Sequence, residues 1–316
     1  MLIQPMPTLT LGVFALIQAL LMLAVTPLMT GISRQIRALM HSRRGPGIWQ
    51  DYRDIAKLLK RQEVAPAQAG PVFRLMPYVL LGTMLLVSMT LPVFTPLSLF
   101  GAAGDLIALL YLFALFRFFF ALAGLDTGST FAGIGASREL TLGVLVEPTL
   151  ILALLVVALI TGSTNIGTIS ASLAAGWTSP TATLLAMLAC GFAAFIEMGK
   201  VPFDVAEAEQ ELQEGPLTEY SGSGLALVKW GLGLKQVVMA ELFLTVFIPF
   251  GRVETLTAPA LLWALIAAII KLAVVFILAS LMENSLARGR FLLIPRVTWL
   301  GFGVAALSFV FYLTGL

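Results

Sequence analysis

Residues 181–220 read TATLLAMLACGFAAFIEMGKVPFDVAEAEQELQEGPLTEY. From Thr181 to Gly199 the only charge is Glu197; beyond it come Asp204, Glu207, Glu209, Glu211, Glu214 and Glu219, six carboxylates in a chain that has only 17 acidic residues. A second apolar run, QVVMAELFLTVFIPF (236–250), leads away. An apolar run on each side places the acidic segment at one face of a bilayer. Ionisable groups beside and inside lipid are costly, and they mark an ion path or a docking site.

The rest of the chain agrees with that placement. Of its 316 residues 59% are hydrophobic and only 11% charged, far from the balance of a soluble globular domain. Apolar stretches long enough to cross about 30 Å of hydrocarbon fall at roughly 10–32, 73–95, 104–124, 140–161, 181–199, 236–254, 258–282 and 297–315. The expected fold is all-α: a polytopic integral membrane protein of about eight transmembrane helices, forming a single membrane domain over 1–316. No secretory leader is expected, because the first apolar segment is too long for one.

Basic residues fix the orientation. Nine (Arg34, Arg37, Arg43, Arg44, Arg53, Lys57, Lys60, Arg61, Arg74) follow the first span, and Arg138, Lys200, Lys229, Lys235, Arg288, Arg290 and Arg296 stand in the other alternate loops, while the opposite loops hold only Arg252. The positive-inside rule puts both termini outside, with cytoplasmic loops at about 33–72 and 200–235. In the first of these, Ile48, Tyr52, Ile55 and Leu59 recur at helical spacing, so a short amphipathic helix is expected in the headgroup plane with Trp49 at the interface. It serves either as a docking site for a peripheral protein or as a plain topology anchor. The opposite loops, rich in Gly, Ser, Thr and Pro, read as connectors.

Several function classes are excluded. A single cysteine, Cys190, cannot ligate an iron–sulfur cluster or form an internal disulfide, and the single histidine, His41, rules out bis-histidine haem. A net charge of +2 is no nucleic-acid footprint. Gly301, Gly303 and Ala306 match the spacing of a dinucleotide fingerprint but lie inside an apolar span without a preceding strand, so the match carries no function.

Charges inside the spans are the informative residues. Arg117, Glu147, Glu197, Glu241 and Lys271 are all expected between mid-membrane and the cytoplasmic face, with Arg138 and Glu139 at the mouth of the fourth span and Glu283 ending the seventh. Either Arg117 or Lys271 facing Glu147 or Glu241 would neutralise the interior. These groups form a proton path leading in from the acidic loop, or else static ion pairs that fix packing. Because the outer half looks bare, the chain is expected to take protons in and pass them sideways. In the loop, Glu207, Glu211 and Glu214 would share one helical face; the interleaved Val201, Pro202, Phe203 and Val205 favour contact with a partner over bare solvation.

EMGKVPFDVAEAEQELQEGPLTEYSG resembles the signature loop of the complex I subunit 1 family. RRGPGIWQDYRDIAKLLKRQE resembles its first-loop signature, and GASRELTLGVLVEP its fourth-span mouth; the likeness covers nearly the whole chain. The wording of HSRRGPGIWQDYRDI and FFFALAGLDTGSTFAGIGASRELTLG is most similar to the hydrogenase and formate hydrogenlyase branch. The resemblance implies a noncatalytic "heel" subunit of a bacterial inner-membrane complex. It would hold no cofactor itself, with iron–sulfur clusters and a nickel–iron site in the hydrogenase large and small subunits docked on its cytoplasmic side, and with antiporter-like membrane subunits beside it. Carried across, Glu139, Glu147, Glu197, Asp204, Glu207, Glu209, Glu211 and Glu214 stand at the family's acidic funnel, and Arg43, Arg44, Gln50, Asp54 and Lys57 in the first-loop signature where the peripheral arm docks. The family's Glu-Thr-Asn-Arg before PFD appears here as EMGK. Lys200 thus replaces a bidentate donor, which weakens the expectation of a quinone site. Two alternatives stay open: the quinone-site subunit of an NADH:quinone oxidoreductase, and a stand-alone cation/proton exchanger.

Overall fold

The computed structural model describes residues 8–96, 98, 104–253, 257–289 and 291–315, and for Thr8, Leu9, Glu209 and Gln210 the backbone only. Eleven α-helices run through these residues: α1 Thr8–Met40, α2 Gln50–Leu59, α3 Pro71–Thr90, α4 Leu106–Asp126, α5 Thr130–Thr161, α6 Ile166–Ala175, α7 Pro180–Glu197, α8 Glu209–Leu212, α9 Gly222–Phe247, α10 Ala258–Ser285 and α11 Ile294–Thr314. Eight of them are long and apolar enough to cross a membrane, and the chain is a multi-pass membrane protein.

Helix α9 is the axis. It is apolar nearly all round, the pattern of a helix enclosed by others, and it touches α1, α2, α3, α6, α7 and α10. Lipid tails are as apolar as leucine, so association in a membrane relies on close packing of small residues. Gly233 supplies such a place on α9, where an added Cβ would stand 2.8 Å from Thr26 of α1. On α7, Ala182, Ala186, Ala189 and Ala193 are buried at helical spacing. Gly301, Ala305 and Ser308 of α11 are buried too, with α11 lying along α7. Ser308 donates to the Ala182 carbonyl at 2.7 Å, and a Cβ at Gly301 would strike Phe192 at 2.3 Å. The glycine of the chance fingerprint is therefore a helix-packing residue.

Several boundaries differ from the expected ones, and four of the differences bear on the site. Helix α1 continues to Met40, carrying Arg34 and Arg37 beyond the apolar run on the same rod. Helix α5 begins at Thr130, so Arg138 and Glu139 lie two turns inside it. Helix α9 begins at Gly222, so Lys229 and Lys235 are helical residues of a span rather than loop residues. Residues 166–175, expected as connector, form α6, whose N-terminus is capped by Asn165 accepting from Gly167 and Thr168.

Helix α2 lies at the acidic end against α1 and α9. Its bundle face carries Asp51 beside the half-buried Tyr52 and Ile55: Thr30 donates to Asp51 at 2.6 Å, and Arg34 bonds the same carboxylate. Trp49 and Leu59 are exposed.

Candidate functional site

The acidic segment is seated on α5 by a close backbone crossing. An added Cβ at Gly135 would meet the Ala206 carbonyl at 2.7 Å, and one at Gly215 would meet it at 2.0 Å. Gln213, Glu214 and Gly215 have φ of 49°, 70° and 53°, left-handed conformations that end the four-residue helix α8. This corrects the expectation that Glu207, Glu211 and Glu214 share one helical face. Glu211 turns out to Arg138 of α5 at 2.7 Å, Glu214 to Lys229 of α9 at 3.6 Å, and Glu207 sits half-buried between them and the bundle. Burial, followed by the carboxylates of Glu214, Glu139 and Asp204, pushes the Glu207 pKa up to about 7.

Below the segment lies a buried ion network. Arg117 of α4 bonds Glu147 of α5 and Glu197 at the end of α7, and its Nε is 3.6 Å from Glu139 of α5. Lys235 of α9 reaches Glu197 at 3.2 Å and Glu139 at 3.6 Å. Arg117, Glu197 and Lys235 are buried. Gly143, one turn before Glu147, makes the room: a Cβ there would stand 2.6 Å from Arg117 Cδ and Nη1. Two cations thus neutralise two of three carboxylates, and four helices meet at the remaining negative charge. A small cavity of about 50 Å³, lined by Glu139, Glu197, Lys235 and Gln236 from the bundle and by Asp204 and Glu207 from the loop, joins the network to the acidic segment.

A second polar cluster flanks the first. Glu283 at the end of α10 pairs with Arg37 of α1 and, at 3.2 Å, with Lys200. Asp204 pairs with Arg288. Burial lowers the Lys200 pKa against the pull of Glu283, and burial raises that of Asp204 against Arg288. Together with Arg34 and Glu207, these side chains line a cleft of about 240 Å³.

Of the expected site residues, the structure brings together Arg117, Glu139, Glu147, Glu197, Asp204 and Glu207, and it places Glu211, Glu214 and Glu283 at their margin. The side chain of Glu209 lies outside the described residues. Glu241 and Lys271 are not with them, which corrects the expectation that they belong to the acidic-side path. Glu241 lies 19 residues beyond Gly222, about 28 Å along α9 at ~1.5 Å per residue, towards the end away from the acidic segment. Lys271 lies at mid-helix as expected, but its ammonium turns to the carbonyls of Phe250 and Ile248, past the far end of α9. Starting the sixth span at 236 instead of 222 caused the error. Lys235 was missed for the same reason, although the apolar residues on both sides of it (LALVKWGLGLKQVVM) were the signal that it lies within a span.

Among the first-loop residues, Arg43, Arg44 and Lys57 are exposed. Gln50 donates to Asp54 at 2.9 Å, and Asp54 also lies 3.4 Å from Arg34, so these two are engaged within the chain.

Comparison with known proteins adds a relationship. The NADH dehydrogenase family matches residues 13–314. Hydrogenase-4 component C of Escherichia coli (strain K12) is 70% identical over 306 residues, 97% of each chain. Formate hydrogenlyase subunit 4 of the same organism is 58% identical over 94% of this chain and 97% of its own. NADH-quinone oxidoreductase subunit 8 of Rhodothermus marinus is 30% identical over 66% of this chain and 64% of its own. A chain from the structure of the membrane-bound sulfane sulfur reductase, an archaeal respiratory membrane complex, superposes with a TM-score of 0.86 at 24% identity, covering 96% of this chain and 99% of that one. That likeness is one of fold.

Proposed function

The chain belongs to the NADH dehydrogenase family, and from that premise we propose that it is the membrane heel of a hydrogenase or formate hydrogenlyase complex in a bacterial inner membrane. Its acidic side faces the cytoplasm and both termini face the periplasm. There it seats a peripheral module, whose large and small hydrogenase subunits hold the nickel–iron site and the iron–sulfur clusters. It takes protons from beneath that module and passes them to antiporter-like neighbours.

The observation that carries this reading is the continuity of the acidic side. Glu207, a carboxyl that titrates near neutrality, opens through one cavity onto Glu139, Glu197 and Lys235. A group titrating near the ambient pH loads and unloads protons with small changes in its surroundings. The unequal identities, 70% and 58% against 30%, favour the hydrogenase branch over a quinone-reducing one. The cleft favours it too: Arg34, Arg37, Lys200, Asp204, Glu283 and Arg288 line it, whereas sites for organic ligands are mostly apolar with a few polar groups.

Purification of the complex through this chain tests the proposal. Hydrogenase subunits are expected to copurify, with hydrogen evolved from formate or a reduced dye and no quinone-dependent activity; quinone reduction would overturn the assignment. The chain reconstituted alone is expected to show no cation-for-proton exchange, and Glu197→Gln to uncouple hydrogen evolution from proton movement while the complex stays assembled.

A further inference from the structure

The charges at the far end of α9 form a group of their own. Glu241 is 3% exposed and Thr245 1% exposed, and at four residues apart they share one helix face. Glu241 Oε1, Thr245 Oγ1 and Arg252 Nε are buried and have no hydrogen-bond partner among the described residues. Around them, Arg252 donates to the Thr245 carbonyl at 2.9 Å and to the hydroxyl of Ser170. Ser170, on α6, donates to the same carbonyl at 2.6 Å. Lys271 donates instead to the carbonyls of Phe250 at 2.8 Å and Ile248 at 3.4 Å. Among the described residues, Lys271 and Arg252 are the charged groups that act on Glu241, and neither is in direct contact with it. Buried polar atoms without partners are rare and costly. Three of them at this one end of the bundle, on Glu241, Thr245 and Arg252, call for ordered water, or for a carboxyl that carries its own proton.

This group is close to the acidic-side network without touching it. Glu241 is six residues beyond Lys235, about 9 Å along the axis. Val238 is three residues from each, so the three side chains follow one i, i+3 ridge of α9. Val238 is 2% exposed, and Val237, Met239 and Leu242 around it are buried as deeply. The two polar groups are therefore divided by a single apolar layer.

We propose that Glu241, Thr245, Ser170 and Arg252, with Lys271 at the rim, form a second, water-holding protonatable station in the far half of the bundle, and that the layer at Val238 is the barrier between it and the Lys235 network. Glu241 gives its proton to a bound water, and the carboxylate left behind is neutralised by Lys271 and Arg252; protonation reverses the step. The existence of the station is independent of the function proposed above, and its use in translocation rests on that function.

The test uses the whole complex in proteoliposomes, where the decay of an imposed pH gradient is followed without turnover. Val238→Asn, which wets the layer, is expected to speed the decay roughly tenfold, and the added change Glu241→Gln to bring it back to the wild-type rate. A leak that persists in the double variant, or no leak from an assembled Val238→Asn complex, overturns the proposal. Infrared difference spectra of the otherwise unaltered complex give an independent reading. A carboxyl band that titrates is expected to vanish in Glu241→Gln; a Glu241 ionised at every pH, a static counter-ion, overturns the proposal as well. If the leak depends on Glu241 but the wild-type complex moves no protons, the station stands and the translocation function falls. If the wild type pumps and Glu241→Gln pumps equally with the leak unchanged, the reverse holds.

Discussion

Arg117 is the residue on which the acidic-side network turns, since among the described residues it alone touches Glu139, Glu147 and Glu197. Removing one partner of a buried ion pair costs about 3–5 kcal/mol, because the other charge is left uncompensated. Arg117→Ala leaves three carboxylates to Lys235 and is expected to prevent stable assembly, read as loss of the chain from the purified complex. Glu147→Gln is milder, since it takes away a charge already in excess; the complex is expected to form normally, with proton movement per hydrogen reduced. Gly143→Ala tests the geometry separately from the charge. The new methyl displaces the guanidinium, and overpacking of this kind costs about 1–3 kcal/mol, to be measured as a lowered thermal midpoint of the complex in detergent. A midpoint equal to wild type would show that Arg117 does not depend on the space Gly143 leaves.

At the scale of elements, two short segments hold the working face in place. The acidic segment is pinned by Gly215, whose left-handed backbone and contact with Ala206 leave no room for a side chain. Gly215→Ala is expected to free the segment, read as faster amide exchange over residues 204–218 with the eight spans unchanged. Helix α2 is held from behind by Asp51, Tyr52 and Arg34, leaving its basic residues outward. Reversing charge at Arg43 and Arg44 is expected to loosen the peripheral module, so that its subunits wash off at lower salt while the membrane part stays intact. Retention at wild-type salt would place the docking contacts elsewhere. The existence of the eight spans and of α2 was legible in the sequence, because apolar length and charge alternation report on lipid contact, whereas α6 was not. Their ends were not, since a lysine inside a span resembles one beside it until its buried partner is known. The cation lining the network from α9 and the true depth of Glu241 were both lost to that ambiguity. The identities of the carboxylates were legible; the positive-φ residues that scatter Glu207, Glu211 and Glu214, namely Ala208, Gln213 and Glu214, were not, because alanine, glutamine and glutamate carry no signal for that conformation.

At the scale of the molecule, charge is divided between two ends of one central helix, and Glu207 sets the pH response of the acidic end. Its folded pKa, about 7, lies above the ordinary value of 4.5. Below 4.5 both the folded and the unfolded carboxyl are protonated and the shift costs nothing. Between 4.5 and 7 the unfolded form ionises first, so docking of the segment weakens as pH rises through that window and stays weaker above it. Glu207→Gln removes this dependence and is expected to flatten the pH profile of amide exchange in the segment. Glu214→Gln, which takes away a neighbouring negative charge, should move the midpoint of the profile downwards.

The stretch after α10 has a consequence for how the protein is made. Arg288 holds Asp204, Gly289 lies over Pro202, and Arg138 stacks on Phe291 before α11 packs against α5 and α7. This stretch thus crosses over the acidic segment like a clasp. A nascent chain halted at the end of α10 would leave Asp204 without Arg288, so the acidic face takes its final form only after this stretch has been made.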